Sequence, residues 1–456
     1  MKCFTIILIW MLTPILYKGA YSQSKTDIEI QRAIAASQTG AAPLFFKVDK
    51  AYNKLELDTQ SFDGEFIPRT GLSNFLFATK HQKTMTVGFI GGSITKADDG
   101  YRPQLLSYLQ QLLPQNNFIG LNAGISGTGS DLGACRIKEQ LLVHQPQIIF
   151  IDFAVNGAFV AGIEGIIRQI RNYNPSIDIC LLYTISGEQY KVYASGRIPE
   201  NIRKLEELAD HYQVSSVHLG KSIGMLEALG KLEWKSQQKS SSKIIFSRDG
   251  IHPTYEGGKL YASVIARGIK KLMLDIPSSK KTYPLPNLLS TENWENAKMF
   301  HPHMIATFDQ YWEKVNPLKE LNLDSFAGWF PSVMKAYEPG ATFRFKFRGT
   351  HFGIFDIGGP EVGQLEIIID KHTPEAKYLR SNRFNVHCNN RYRGQYVLFP
   401  VKEGLHEVTI KISKEIPNKE EILGSNQLQD IKQFPNKYRQ SVIYIGKILI
   451  NGDVVK

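Results

Sequence analysis

Thr84-Met-Thr-Val-Gly-Phe-Ile-Gly-Gly-Ser93 opens the regular part of this chain. Met85 to Ile90 is a short apolar run that reads as a buried strand. Gly91-Gly92 ends it with a sharp turn that leaves the amide and Oγ of Ser93 unobstructed. Working outward, the same alternation repeats. Pro103 to Leu113 carries leucines at helical spacing, with Pro103 suited to a first turn. Phe118 to Ala123, Ile148 to Phe153, Ile177 to Thr184 and Val214 to His218 read as strands. Helices are expected over Leu132 to Val143, Ile163 to Asn172, Pro199 to Tyr212, Ser222 to Leu229 and Tyr255 to Leu274. Apolar strands alternating with amphipathic helices predict an α/β, three-layer α/β/α domain over residues 83–278, with a parallel sheet covered on both faces. Lys231 to Lys243, polar and serine-rich, reads as a surface loop.

The flanks have a different texture. Lys2, an apolar run from Phe4 to Leu16 and the small residues of Ala20-Tyr21-Ser22 predict a cleaved signal peptide over residues 1–22, and hence a secreted or periplasmic protein. That run falls short of the roughly 20 residues a transmembrane helix needs, and no later stretch is long and apolar enough. Residues 23–82 read as an extension packed on the main domain, with a short helix at Gln31 to Ala36 and anchors at Leu44-Phe45-Phe46 and Phe75 to Phe77. Ile276 to Pro286 carries three prolines, which suits a linker at residues 279–286. Beyond it, Phe343, Phe345 and Phe347 alternate within Thr342 to Arg348 as a half-buried strand requires. Further strands are expected at His351 to Ile357, Gln364 to Ile369, Tyr396 to Val401, His406 to Ile412 and Val442 to Ile450. Turn signals such as Gly358-Gly-Pro360 and Glu403-Gly404 separate them, predicting a jelly-roll-like antiparallel β-sandwich over residues 287–456.

Three segments with chemical potential follow predicted strands, where ligands of open α/β sheets bind. Gly91-Gly92-Ser93 presents a hydroxyl that can attack. Asn122-Ala-Gly-Ile-Ser-Gly127-Thr-Gly-Ser130 can turn backbone amides toward an anion. Asn156, directly after Ile148 to Phe153, can donate from Nδ2. A fourth segment, Asp249-Gly-Ile-His252-Pro253, lets a carboxylate reach the imidazole Nδ1–H and leaves Nε2 as a base. Each alone is commonplace: a turn, a flexible connection, an Asn-Gly corner, a chance Asp-x-x-His.

In this order and spacing, the four segments resemble the SGNH (GDSL-type) hydrolase family over residues 83–278. That resemblance implies that Ser93 is the nucleophile, His252 the general base and Asp249 its orienting carboxylate. It implies an oxyanion hole formed by the backbone amides of Ser93 and Gly127 and the Asn156 side chain. The chain departs from the pattern in reading Gly-Gly-Ser rather than Gly-Asp-Ser, a variant associated with carbohydrate-active members. It also lacks the usual Gly before Asn156 and has Gly157 where Asp is common. The expected reaction is hydrolysis of acyl esters, acetyl foremost, on a polysaccharide or oligosaccharide through an acyl-Ser93 intermediate, with no cofactor. A lipid or thioester acylhydrolase, or a glycan-binding protein with a degenerate hydrolase domain, are the competing expectations.

The remaining residues favour bland readings. The formal charge of +11 comes from scattered Lys and Arg without a nucleic-acid motif. Such a basic surface suits an acidic polysaccharide or an anionic membrane, or is simply solvated. Loss of residues 1–22 removes two positive charges, Lys2 and Lys18. Cys135, Cys180 and Cys388 are too few for a disulfide framework and read as core. His301-Pro-His303 lacks a third neighbour for a metal. Trp294, Trp312 and Trp329 read as buried aromatics rather than sugar platforms.

Overall fold

A computed structural model describes residues 40–48, 60–238 and 242–455. The predicted signal peptide and the helix expected at Gln31 to Ala36 lie outside the described residues.

The first sheet has seven strands: β1 (Phe45–Lys47), β2 (Phe66–Ile67), β3 (Thr84–Gly91), β4 (Asn117–Gly124), β5 (Ile148–Asp152), β6 (Asp178–Leu182) and β7 (Ser215–Val217), in the order β1-β4-β3-β5-β6-β7-β2. The five central strands are parallel, as the alternation of apolar runs and helices predicts. Both edges depart from that expectation. β1 pairs antiparallel with β4, and β2 antiparallel with β7, so the segment expected merely to lie on the domain completes its sheet at both ends. Every residue of β5 and β6 is buried, because helices cover both faces. Helix Val160–Tyr173 packs Ile163, Ile166, Ile167 and Ile170 inward, and burying each such side chain contributes about 1.5–3 kcal/mol.

The chain leaves β3 for β4 on one side and then crosses to β5 on the other. The order therefore reverses at β3, which makes the carboxyl end of β3 a topological switch point.

Lys231 to Lys243 is not wholly a surface loop. β8 (Leu232–Lys235) pairs in parallel with β9 (Ile244–Ser247), and Trp234 stacks on both Tyr190 and Phe246. Tyr283, in the proline-rich segment, donates to Asp178 Oδ1 at 2.5 Å, and Glu164 accepts from the amides of Leu289 and Ser290. These bonds strap the segment to the sheet domain.

The second sheet is antiparallel, as expected, and curls on itself so that one sheet provides both layers. It comprises β10 (Ala297–Phe300), β11 (Thr307–Phe308), β12 (Glu313–Val315), β13 (Val333–Ala336), β14 (Thr342–Gly358), β15 (Gln364–Ile369), β16 (Lys377–Asn382), β17 (Arg393–Ile412) and β18 (Ile443–Val455). The expected strands at Thr342 to Arg348 and His351 to Ile357 are halves of the 17-residue β14. Tyr396 to Val401 and His406 to Ile412 likewise belong to the 20-residue β17. The pairing of β14 with β17 and with β18 shifts between Gly349 and His351, an irregularity of the kind that bends a strand and lets one sheet curl into two layers. A Cβ on Gly349 would sit 2.1 Å from the Asn451 carbonyl oxygen, so the bend requires glycine there.

Phe343, Phe345, Phe347, Phe352 and Ile354 fill the inside of the curl with Ile367, Ile410 and Ile448. Past the bend, Phe355 and Ile357 point the other way, into an apolar core continuous with that of the first sheet. The first half of β14 is therefore half-buried and alternating, and the second half is buried on both faces. Trp294, Trp312 and Trp329 are buried, as are Cys135, Cys180 and Cys388. His301 and His303 face the ammonium groups of Lys447 and Lys314, and among the described residues no group of three His, Cys, Asp or Glu could hold a metal.

Candidate active site

Ser93 follows β3, Gly127 follows β4 and Asn156 follows β5, so three adjacent parallel strands deliver them to the sheet's carboxyl edge. The two glycines before Ser93 have a packing reason. A Cβ on Gly91 would stand 2.3 Å from Thr95 Oγ1, and one on Gly92 would stand 2.1 Å from Asn156 Oδ1. Gly92 is thus the surface against which the Asn156 amide rests. Gly127 and Gly157 adopt positive φ, +69° and +90°, values that L side chains seldom take.

Beneath Ser93, Asp152 at the end of β5 accepts from Thr95 Oγ1 at 2.8 Å and Thr184 Oγ1 at 2.6 Å. Burial outweighs these bonds and raises its carboxyl to about 6. Arg136, fully buried, donates from Nη2 to the Gly91 carbonyl at 3.1 Å. The turn that carries Ser93 is pinned from below on both sides.

Asp249 and His252 come from the loop between β9 and helix Tyr255–Leu272. Gly250 turns that loop with φ +85°. Asp249 Oδ1 gathers the Ile251 and His252 amides, both at 2.8 Å, and the Ser247 hydroxyl at 3.0 Å. Its other oxygen, Oδ2, lies 2.6 Å from His252 Nδ1, and His252 Nε2 lies 2.8 Å from Ser93 Oγ. Burial opposes ionisation of Asp249, but the His252 ring and the two backbone amides together hold its carboxyl well below the usual range. A carboxylate on Nδ1–H selects the tautomer in which Nε2 accepts from the serine. Pro253 lies just before the helix rather than in its first turn. It bridges to Ser247, and Thr254 is the N-cap, its Oγ1 accepting from the Gly257 amide at 3.1 Å.

Ser93, Gly127, Asn156 and His252 line one cleft of about 510 Å³. Its other wall is the curled sheet, which supplies Arg383, Asn385, His387, Arg393, Gln395 and Tyr396. Sequence reasoning misses every one of these residues. The available signal is a run from Arg380 to Gln395 in which arginine, asparagine and histidine interleave with Phe384 and Tyr392 between two strands. The wall is built rather than loose. Arg383 pairs with Asp356 through two bonds, 2.7 and 3.0 Å, and Gln395 donates to Asp356 at 3.1 Å and to the Arg383 carbonyl at 2.8 Å. Tyr396 donates to Asp131 at 2.8 Å and accepts from the Gly129 amide at 3.2 Å, tying the curled sheet to the loop that carries Gly127.

A parallel three-layer domain with Ser, Gly and Asn at consecutive strand ends and an Asp-x-x-His loop beside them defines a hydrolase domain of the SGNH type. Consistent with this, residues 89–260 match the model of the GDSL-like lipase/acylhydrolase family. Over that stretch the chain is similar to acylhydrolases of that family. Two structures of a two-domain esterase active on acetylated mannans, one co-crystallized with mannopentaose, are similar over 84% of this chain and 94% of that one. Their TM-score is 0.59 and their identity 18% and 19%. At that identity the likeness is one of fold, and it extends through both sheets. An acetylxylan esterase from Geobacillus stearothermophilus matches 43% of this chain and 97% of its own, with 20% identity and a TM-score of 0.31. No curated protein matches the chain.

Proposed function

We propose that this chain is a secreted serine esterase that removes acetyl groups from carbohydrate through an acyl-Ser93 intermediate. The observation that carries this reading is the unbroken relay from Asp249 Oδ2 to His252 Nδ1 at 2.6 Å, and from Nε2 to Ser93 Oγ at 2.8 Å. Serine is a weak nucleophile without such a base. As Ser93 Oγ attacks the ester carbonyl, its proton passes to His252 Nε2, and Asp249 stabilises the imidazolium. The amides of Ser93 and Gly127 and the Asn156 side chain receive the oxyanion, each donor contributing about 2.7–4 kcal/mol. Collapse expels the sugar oxygen, which takes the proton from His252. Water, deprotonated by the same nitrogen, then releases acetate.

The carbohydrate part rests on the cleft. Of its lining side chains only Val155 and Ile251 are aliphatic, a poor solvent for a long acyl chain and a good one for hydroxylated rings. The fold likeness to an esterase active on acetylated mannans points the same way. Export rests on the composition of residues 1–22. No helix among the described residues is long and apolar enough to cross a membrane.

Acetate release from a panel of acetylated polysaccharides, wild type against Ser93→Ala, tests the reading together with fluorophosphonate labelling. The wild type is expected to label and to release acetate, and the variant to do neither while melting at the wild-type temperature. Wild-type turnover in Ser93→Ala removes that serine from the mechanism. Release only of long acyl chains moves the substrate to lipid, and an unlabelled, inactive wild type favours a glycan-binding role.

A further inference from the structure

The cleft contains two guanidinium groups, Arg383 and Arg393, and no carboxylate among its lining residues. Only one of the two forms an ion pair, although the charge of Asp356 also reaches Arg393. Arg383 is closed off by its paired bonds to Asp356. Arg393, at the start of β17, has no carboxylate within ion-pair distance among the described residues, and its Nε is buried without an acceptor. A half-buried guanidinium with an unmet donor is a costly arrangement for a fold to keep. Among the described residues its side chain makes no hydrogen bond that holds the wall together. Its position is specific: Nη2 stands 3.3 Å from where a Cβ on Gly127 would be, directly beside the loop expected to receive the oxyanion. The field around it is cationic as well. The His387 imidazole is held below its ordinary value by burial and then by the charges of Arg393 and Arg391.

We infer that Arg393 binds an anionic substituent of the sugar chain, so that the preferred substrate is an acetylated acidic polysaccharide. This rests on the esterase reading above and refines its substrate. The planar fork of a guanidinium matches a carboxylate or a sulfate in two parallel bonds. An anion seated on the Nη groups would compensate the charge, and it would lie next to the ester under attack. A neutral xylan or mannan chain offers that site only hydroxyls, which leave the charge uncompensated. The net positive charge that remains after loss of Lys2 and Lys18 then acquires a use in drawing a polyanion toward the cleft.

The test compares kcat/KM for acetate release from acetylated polygalacturonate, an acetylated sulfated galactan and acetylated xylan, in wild type, Arg393→Gln and Arg393→Lys, with 4-nitrophenyl acetate as the reporter of basal chemistry. Wild type is expected to prefer one anionic polymer over xylan by tenfold or more, and the preferred polymer identifies carboxylate or sulfate. In Arg393→Gln that ratio should collapse toward one, and Arg393→Lys should restore part of it. Raising the salt should shrink the wild-type preference. Equal turnover of all three polymers by the wild type overturns the inference, as does a ratio that Arg393→Gln leaves in place. A wild type inactive on 4-nitrophenyl acetate and on every polymer instead overturns the esterase reading on which the inference stands.

Discussion

One wall of the cleft, with Ser93, Gly127, Asn156 and His252, comes from the ends of parallel strands and the loop before a single helix. The other, with Arg383, Asn385, Arg393 and Gln395, comes from a curled sheet, at and just before β17 (Arg393–Ile412), far along the chain from the end of β5 at Asp152. The two are held by different means. The first is fixed chiefly by close approach, with Gly91 and Gly92 admitting neighbours where a Cβ could not fit and with Asp152 and Arg136 bonded beneath the turn. The second is fixed by buried charge, the Arg383–Asp356 pair with Gln395 bonded to both. Close packing positions reacting atoms with little tolerance, whereas a polar network holds a surface that remains hydrogen-bonding in character. That division suits a cleft in which one wall performs the reaction and the other reads the substrate.

Variants that remove one support at a time sharpen the contrast. The largest effect is expected from Asp356→Ala, which strands the Arg383 guanidinium where its side chain is only 7% exposed. Losing one partner of such a pair costs about 3–5 kcal/mol, measurable as a lower denaturant midpoint. A loss under about 1 kcal/mol would mean that the second wall does not depend on its ion pair. Next comes Asn156→Ala on the first wall. Here kcat should fall by about 10²–10³-fold, as for loss of one oxyanion donor, with a much smaller change in KM. A KM effect without a kcat effect would place Asn156 in substrate binding and blur the distinction between the walls.

The same contrast explains what the sequence makes legible. β3, β4, β5 and β6 are apolar runs long enough to declare themselves, and Ser93, Asp249 and His252 stand in segments whose order is itself a signature. β1 and β2 are strands of three and two residues and carry no period to read. Trp234 is hidden in a polar, lysine-rich stretch because only one face of that short strand is covered. In β14 the alternation of Phe343, Phe345 and Phe347 is visible. Its fusion with Phe352 to Ile357 is not, because the bend at Gly349-Thr350 carries the marks of a turn. The second wall is invisible for a more general reason. Arg393 matters because it stands beside Gly127, and that neighbourhood is a product of tertiary folding with no local trace.

The smallest effect tests whether the walls communicate. Tyr396 belongs to the curled sheet, yet its hydroxyl accepts from the Gly129 amide, in the loop that follows Gly127, and donates to Asp131, in the first turn of the helix Ser130–Gln140 after it. Tyr396→Phe keeps the ring and removes both bonds, at a cost of about 1–3 kcal/mol given a charged partner. If the second wall steadies the first, the Gly127 amide loses part of its aim, and kcat on 4-nitrophenyl acetate should fall a few-fold at constant KM. That small ester has no sugar chain with which to touch the curled sheet, so its turnover reports the loop alone. Unchanged turnover of 4-nitrophenyl acetate, combined with a raised KM on acetylated polysaccharide, would assign Tyr396 to substrate contact and leave the two walls mechanically independent.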